Sequence, residues 1–192
     1  MNHVKRLAVY CGSAAGSLPI FADATRATAA AMVGRGVDLV YGGGRLGLMG
    51  LIADSVLAGG GRVYGVIPKA LVNLEVAHSG ITELHTVETM HERKAQMTDL
   101  ADAFLALPGG IGTLDELFEA WSWNALGYHA KPFCLLNVEG FWDGMIEFID
   151  HATKSGFLSD KRRKQLLVAT TPDEALELLD EAAAAATQGM VW

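Results

Sequence analysis

The chain has 192 residues, 51% of them hydrophobic and 19% charged, with a formal charge of −7 and a pI near 5.3. That composition describes one domain with a full core and excludes a disordered chain. The acidity argues against a nucleic-acid partner, and no apolar run reaches the length of a membrane span. The N-terminus runs into a short strand with no secretory pattern, so the expected location is cytoplasmic. Cys11 and Cys134 lie far apart at the edges of apolar runs. They read as reduced core thiols, with a catalytic Cys11 as the minor alternative.

Leu7–Tyr10 reads as a first strand and ends in the loop Cys11-Gly12-Ser13-Ala14-Ala15-Gly16-Ser17. A helix is expected from Pro19 to Arg35, a second strand over Val37–Tyr41, and a helix over Gly47–Ala58 after Gly42-Gly43-Gly44. Arg62–Ile67 is the third strand, Lys69–Gly80 a loop with a turn of helix, and Ile81–Val87 a short extra strand. Glu88–Ala101 is a helix, and Ala103–Leu107 is a buried strand stopped by Pro108. A helix from Thr113 to about Leu126, the strand Phe133–Asn137 and the helix Phe141–Ser155 follow. Val168–Thr170 makes a last short strand. Thr171-Pro172-Asp173-Glu174 opens a terminal helix with a capping box, and residues 182–192 read as its fraying tail.

Short apolar strands alternating with helices through glycine-rich turns predict a Rossmann-like, doubly wound α/β fold. Its sheet is mostly parallel, with helices on both faces, and residues 1–192 form a single nucleotide-binding domain. Three turns would gather at the carboxyl edge of that sheet: Gly12–Ser17, Gly42–Gly50 and Gly109–Thr113. In the last, glycines precede a helix start, where backbone N–H groups and the helix dipole favour an anion. The plainer reading is a capping box, with Thr113 as cap and Glu116 reaching back to it.

Gly42-x-Gly44-x-x-Gly47 has the letters of a dinucleotide fingerprint. It follows the second strand, however, and Ile67-Pro68-Lys69 stands where the ribose-binding acid belongs. No triphosphate-hydrolysing loop is present, and His78, His85 and His91 lack metal-ligand spacing. Neither a metal nor a cofactor is expected. Lys94 has the chemistry for a Schiff base, but nothing around it specifies pyridoxal phosphate. What the turns suit is a nucleoside monophosphate: one phosphate on a helix start, a ribose near acids, a base in an apolar cleft.

Pro108-Gly109-Gly110-Ile111-Gly112-Thr113-Leu114-Asp115-Glu116 resembles the PGGxGTxxE signature of the LOG ("Lonely Guy") family, the cytokinin riboside 5′-monophosphate phosphoribohydrolases. Many members of that family were long misnamed lysine decarboxylases. The resemblance continues in Cys11-Gly12-Ser13, Tyr41-Gly42-Gly43-Gly44, Gly47-Leu48-Met49-Gly50, Met90-His91-Glu92-Arg93-Lys94, Leu126-Gly127-Tyr128-His129-x-Lys131-Pro132 and Leu136-Asn137, over roughly residues 5 to 160. It implies a homodimer that hydrolyses the N-glycosidic bond of a nucleoside 5′-monophosphate, cytokinin riboside 5′-monophosphate or AMP, releasing base and ribose 5-phosphate.

By the same resemblance Arg93 and Glu116 are the catalytic pair. Substrate contacts fall on Glu75, Lys94, Gly109, Gly110, Ile111, Gly112, Thr113, Leu114, Asp115 and Ser122, with Ser13, Gly43, Gly44 and Met90 on the other matching stretches. Ser122 stands where relatives carry threonine, and Ile111 where tyrosine is frequent. Glu116 would stabilise an oxocarbenium-like ribose or act as general base for water. The plain alternatives are a surface ion pair of Arg93 with Glu92 or Glu88, and a solvated helix position for Glu119. A different class is also open, a nucleotide or molybdenum-cofactor carrier without hydrolysis. Phe118, Trp121 and Trp123 on one helix are the expected apolar contact of a dimer.

Overall fold

Alternating side chains along the central strands pack onto two different helical layers, and this builds the molecule. The computed structural model describes residues 3–72 and 77–189. Its strands are β1 (Arg6–Tyr10), β2 (Asp38–Tyr41), β3 (Val63–Pro68), β4 (Glu83–Val87), β5 (Ala103–Ala106), β6 (Phe133–Leu136) and β7 (Leu166–Ala169). The helices are α1 (Pro19–Gly34), α2 (Gly47–Ala58), α3 (Met90–Leu100), α4 (Ile111–Leu126), α5 (Asp143–Lys154), α6 (Asp160–Arg163) and α7 (Pro172–Gly189). The strands form one sheet in the order β4-β3-β2-β1-β5-β6-β7, and every pairing within it is parallel.

Leu7 and Val9 of β1 face α1, α2 and α7, where Met32, Ile52, Val56 and Leu179 are fully buried. Ala8 and Tyr10 point the other way, onto Met97 of α3 and Leu117 and Trp121 of α4. Both faces are covered, so the central strands read as continuous apolar runs and not as alternating ones. The chain winds outward from β1 in one direction as far as β4, then returns to β5 and winds the other way. The loops after β1 and β5 therefore flank the point where strand order reverses, the place where open α/β sheets bind ligands.

Several boundaries differ from those expected. The last strand begins at Leu166, two residues early, and the extra strand at Glu83, two late. Helix α3 starts at Met90 because Thr89 Oγ1 accepts the Glu92 N–H at 3.1 Å, while Glu92 accepts the Glu88 N–H at 2.9 Å. Helix α5 starts at Asp143, after a 3₁₀ turn over Val138–Gly140. The short α6 was not expected at all; four residues are too few for a periodic signal. The tail expected to fray from residue 182 is helical through Gly189, with Ala183 packed on the core.

Strand β1 is anchored by Asp102, whose Oδ2 accepts the N–H groups of both Lys5 and Arg6 at 2.8 Å. The Asp102 N–H returns a bond to the Arg6 carbonyl at 2.8 Å. Asp102→Ala leaves two donors of the central strand without their acceptor. It is expected to destabilise the fold by about 2 kcal/mol, read as a lower urea midpoint with an unchanged slope.

Candidate active site

Three glycine turns do reach the carboxyl edge together, but they are not equivalent. At α2, the N–H groups of Leu48 and Met49 donate to the Gly12 carbonyl at 3.0 and 3.3 Å. A Cβ on Gly47 would lie 2.4 Å from the Ser13 backbone. These glycines let the loop after β1 seat on the start of α2, and the loop itself uses the donors that an anion would need.

At α4 the arrangement is open. Gly110 is the N-cap and contributes no side chain, and the first helical bond runs from the Leu114 N–H to the Gly110 carbonyl at 3.1 Å. The three N–H groups before Leu114 have no acceptor within the helix. The residue before them, Gly110, borders a crevice of about 260 Å³ whose lining includes Gly12, Ser13, Pro108, Gly109 and Phe141. Side chains at Gly110 and Gly112 would meet no atom within 4 Å, so no contact among the described residues requires glycine at either position.

The capping-box expectation is corrected here. Thr113 is the third helical residue and is 3% exposed, tucked so close to Gly109 that a Cβ there would lie 2.0 Å from Thr113 Oγ1. Glu116 is thereby one turn deeper in the helix than a cap partner and turns to the neighbouring helix. Its Oε1 lies 3.9 Å from Arg93 Nη2, with the two side chains 11% and 5% exposed. Arg93 Nη2 also donates to the Gly42 carbonyl at 3.0 Å, and Nη1 lies 3.8 Å from Met90 Sδ. The surface ion pair proposed for Arg93 is thus excluded: Glu92 closes the helix start and Glu88 pairs with Lys69.

Beside this pair lies a second one that sequence reasoning did not assemble. Lys94 Nζ donates to Asp115 at 3.0 and 3.2 Å and to Glu119 Oε2 at 2.7 Å. Glu119 is 19% exposed and not a solvated helix residue. Its helical spacing from Asp115 and Glu116 was the available signal. Burial works against the Lys94 ammonium, yet the two carboxylates outweigh it and hold its pKa above the usual lysine value. A Schiff-base lysine needs the opposite shift. Burial, then Glu116 and Glu119, raise the Tyr10 pKa, so both carboxylates act toward the end of β1. Burial, with Glu116 adding to it, also pushes the Cys11 thiol far up, against a nucleophilic role. Cys134 is pushed up to about 12, chiefly by burial.

Of the other expected contacts, Gly43 and Gly44 are buried in the turn after β2, while Ser13 is exposed at the crevice and Met90 is 40% exposed beside Arg93. Ile111 projects into solvent at 86% exposure, and Leu114 is partly buried. Ser122 sits elsewhere, in an apolar groove with Phe118, Phe148 and Leu158. Glu75 lies outside the described residues. Trp121 is 6% exposed and packs mainly on Phe133 in its own core, reaching the groove only at its edge. Among the described residues no cluster of three or more His, Cys, Asp or Glu suits a metal, and no helix is long and apolar enough to cross a membrane.

The family described as "Possible lysine decarboxylase" matches residues 49–179. The rice protein "Cytokinin riboside 5'-monophosphate phosphoribohydrolase LOG" (Oryza sativa subsp. japonica) is 47% identical over 191 residues, which cover 100% of this chain and 79% of the rice protein. The chain belongs to the LOG family. The Arabidopsis thaliana phosphoribohydrolase LOG2 is 48% identical over 180 residues, 94% of this chain and 84% of that one. A molybdenum cofactor carrier protein from Chlamydomonas reinhardtii shares the LOG fold with a TM-score of 0.69, covering 93% of this chain and 98% of the carrier. At 17% identity that likeness concerns architecture alone.

The fit around Gly42 is tight enough to test. A Cβ there would lie 2.0 Å from Arg93 Nη2 and 3.1 Å from its Cζ. Gly42→Ala is expected to displace the guanidinium and lower kcat/KM for base release at least about tenfold while the protein stays folded, checked by steady-state kinetics beside circular dichroism.

Proposed function

We propose that this LOG-family protein hydrolyses the N-glycosidic bond of adenine-type nucleoside 5′-monophosphates, AMP or its N6-prenylated relatives. The observation that carries the reading is the largely enclosed Arg93–Glu116 pair, its carboxylate on the helix whose start is open, at the point where strand order reverses. The 5′-phosphate binds the N–H groups at residues 111–113. Arg93 orients the phosphate-sugar unit, as its planar fork suits oxyanions. The bond from the anomeric carbon to the base nitrogen breaks with its electron pair going to the base. Water adds to the same carbon, and its proton balances the departing base. Glu116 offers a negative charge to the cationic sugar and an acceptor for that proton.

The chain acts as one nucleotide-binding domain in a cytoplasmic homodimer. The groove that holds Ser122 supports the dimer: Phe118 and Phe148 are 40% and 67% exposed along it. A second copy seated there would cover both rings and bring Ser122 toward a shared interface. Sedimentation at the mass of a single chain would count against this.

The test is to incubate the protein separately with AMP, isopentenyladenosine monophosphate and adenosine, and to follow free base by chromatography. Base released from either monophosphate but not from the nucleoside is the expected result. Tight nucleotide binding without release would make the protein a carrier and overturn the hydrolytic reading.

A further inference from the structure

Beyond residue 76 the chain is fastened onto the site from outside. Ala77 bridges antiparallel to Gly44, and the His78 N–H donates to the Gly43 carbonyl at 2.9 Å. The His78 ring then reaches α2, with Nε2 2.9 Å from Asp54 Oδ1, while Nδ1 accepts the Gly80 N–H at 3.2 Å. Because Nδ1 accepts, the proton of the neutral ring is assigned to Nε2, which donates it to Asp54. The His78 side chain is 14% exposed and that of Asp54 70%. As a stability device an acid this exposed contributes little.

Its position in the wiring of the site gives it another use. The Gly43 carbonyl held by His78 belongs to the peptide group next to the one whose Gly42 carbonyl accepts Arg93 Nη2. Gly43, at φ 79°, is the hinge between those two groups. A glycine hinge has wide backbone freedom, so the outer bond limits rotation of the inner carbonyl. We infer that Asp54 and His78 are positioning residues for the reaction: they lock the Gly42–Gly44 turn and thereby aim the Arg93 guanidinium. The inference rests on the role proposed above for Arg93.

The experiment compares Asp54→Ala, which removes the acceptor, with Asp54→Asn, which keeps an oxygen for the Nε2 proton. Asp54→Ala is expected to lower kcat for base release from AMP about tenfold with KM changed less than about twofold, and to shift the melting temperature by no more than about 2 °C. Asp54→Asn is expected to stay within about twofold of wild type. In an Arg93→Lys background Asp54→Ala adds nothing further, because the two changes act on one path. Independently of turnover, Asp54→Ala should accelerate exchange of the His78 amide and move the Arg93 Nε–H signal in NMR spectra, and Asp54→Asn should do neither. Wild-type kcat in Asp54→Ala, or additive loss in the double variant, overturns the inference. An inert wild type whose Arg93 signal still responds to Asp54→Ala refutes the hydrolytic reading and leaves the positioning path standing.

Discussion

Glu116→Gln is expected to lower kcat for base release by about 10²- to 10⁴-fold while leaving the fold intact. Gln matches the volume of Glu, so the neighbouring core residue Leu117, fully buried, keeps its contacts. What disappears is the negative charge near a sugar that becomes cationic as the base leaves, and the acceptor for the water proton. Either loss is felt most in the transition state, so KM should move far less than kcat. Steady-state kinetics with a melting curve of the same preparation make the check. A folded variant with wild-type turnover would remove Glu116 from the mechanism.

Arg93→Ala is expected to do two things at once. It abolishes measurable turnover, and it destabilises the protein by about 2–3 kcal/mol, because it removes the cation paired with the largely enclosed Glu116 carboxylate and the donor to the Gly42 carbonyl. The side chain is 5% exposed, bonded to the Gly42 carbonyl and ion-paired across two helices, so solvent cannot replace it cheaply. Denaturant unfolding gives the stability term and a product assay the catalytic one. If instead the variant unfolds at the wild-type midpoint, the burial argument fails even where activity is lost. Arg93→Lys keeps the charge without the fork and should recover much of the stability but little of the rate.

The sheet was legible because its physics is local. Runs such as Ala103–Leu107 are apolar on both faces, and helices cover both faces of the observed sheet. Glycines and Pro68 or Pro108 mark where such runs end. The start of α4 was misread for an equally physical reason. Thr113-x-x-Glu116 carries the letters of a capping box, but the helix starts two residues earlier, with Gly110 as cap, so Thr113 lies inside it and Glu116 pairs with Arg93. Nothing in the spacing of Arg93 and Glu116 brings them together; they stand on separate helices with β5 between, and the resemblance alone paired them. The same applies to Lys94, whose two carboxylates come from the next helix along the sheet face. The burial of Trp121 was also illegible: three aromatic residues on one helix do not say which of them meets Phe133.

The closed start of α2 bears on how many phosphates this edge accepts. Residues at both helix starts, Leu48 of α2 and Gly110 of α4, line the same crevice. On one side, however, the donors at Leu48 and Met49 are committed to the Gly12 carbonyl. A second phosphate group would have to break those bonds or stay in water, whereas the first turn of α4 keeps N–H groups with no acceptor within the helix. A diphosphate is therefore expected to bind less tightly than a monophosphate, because a carbonyl of the chain's own backbone holds the donors its second group would need.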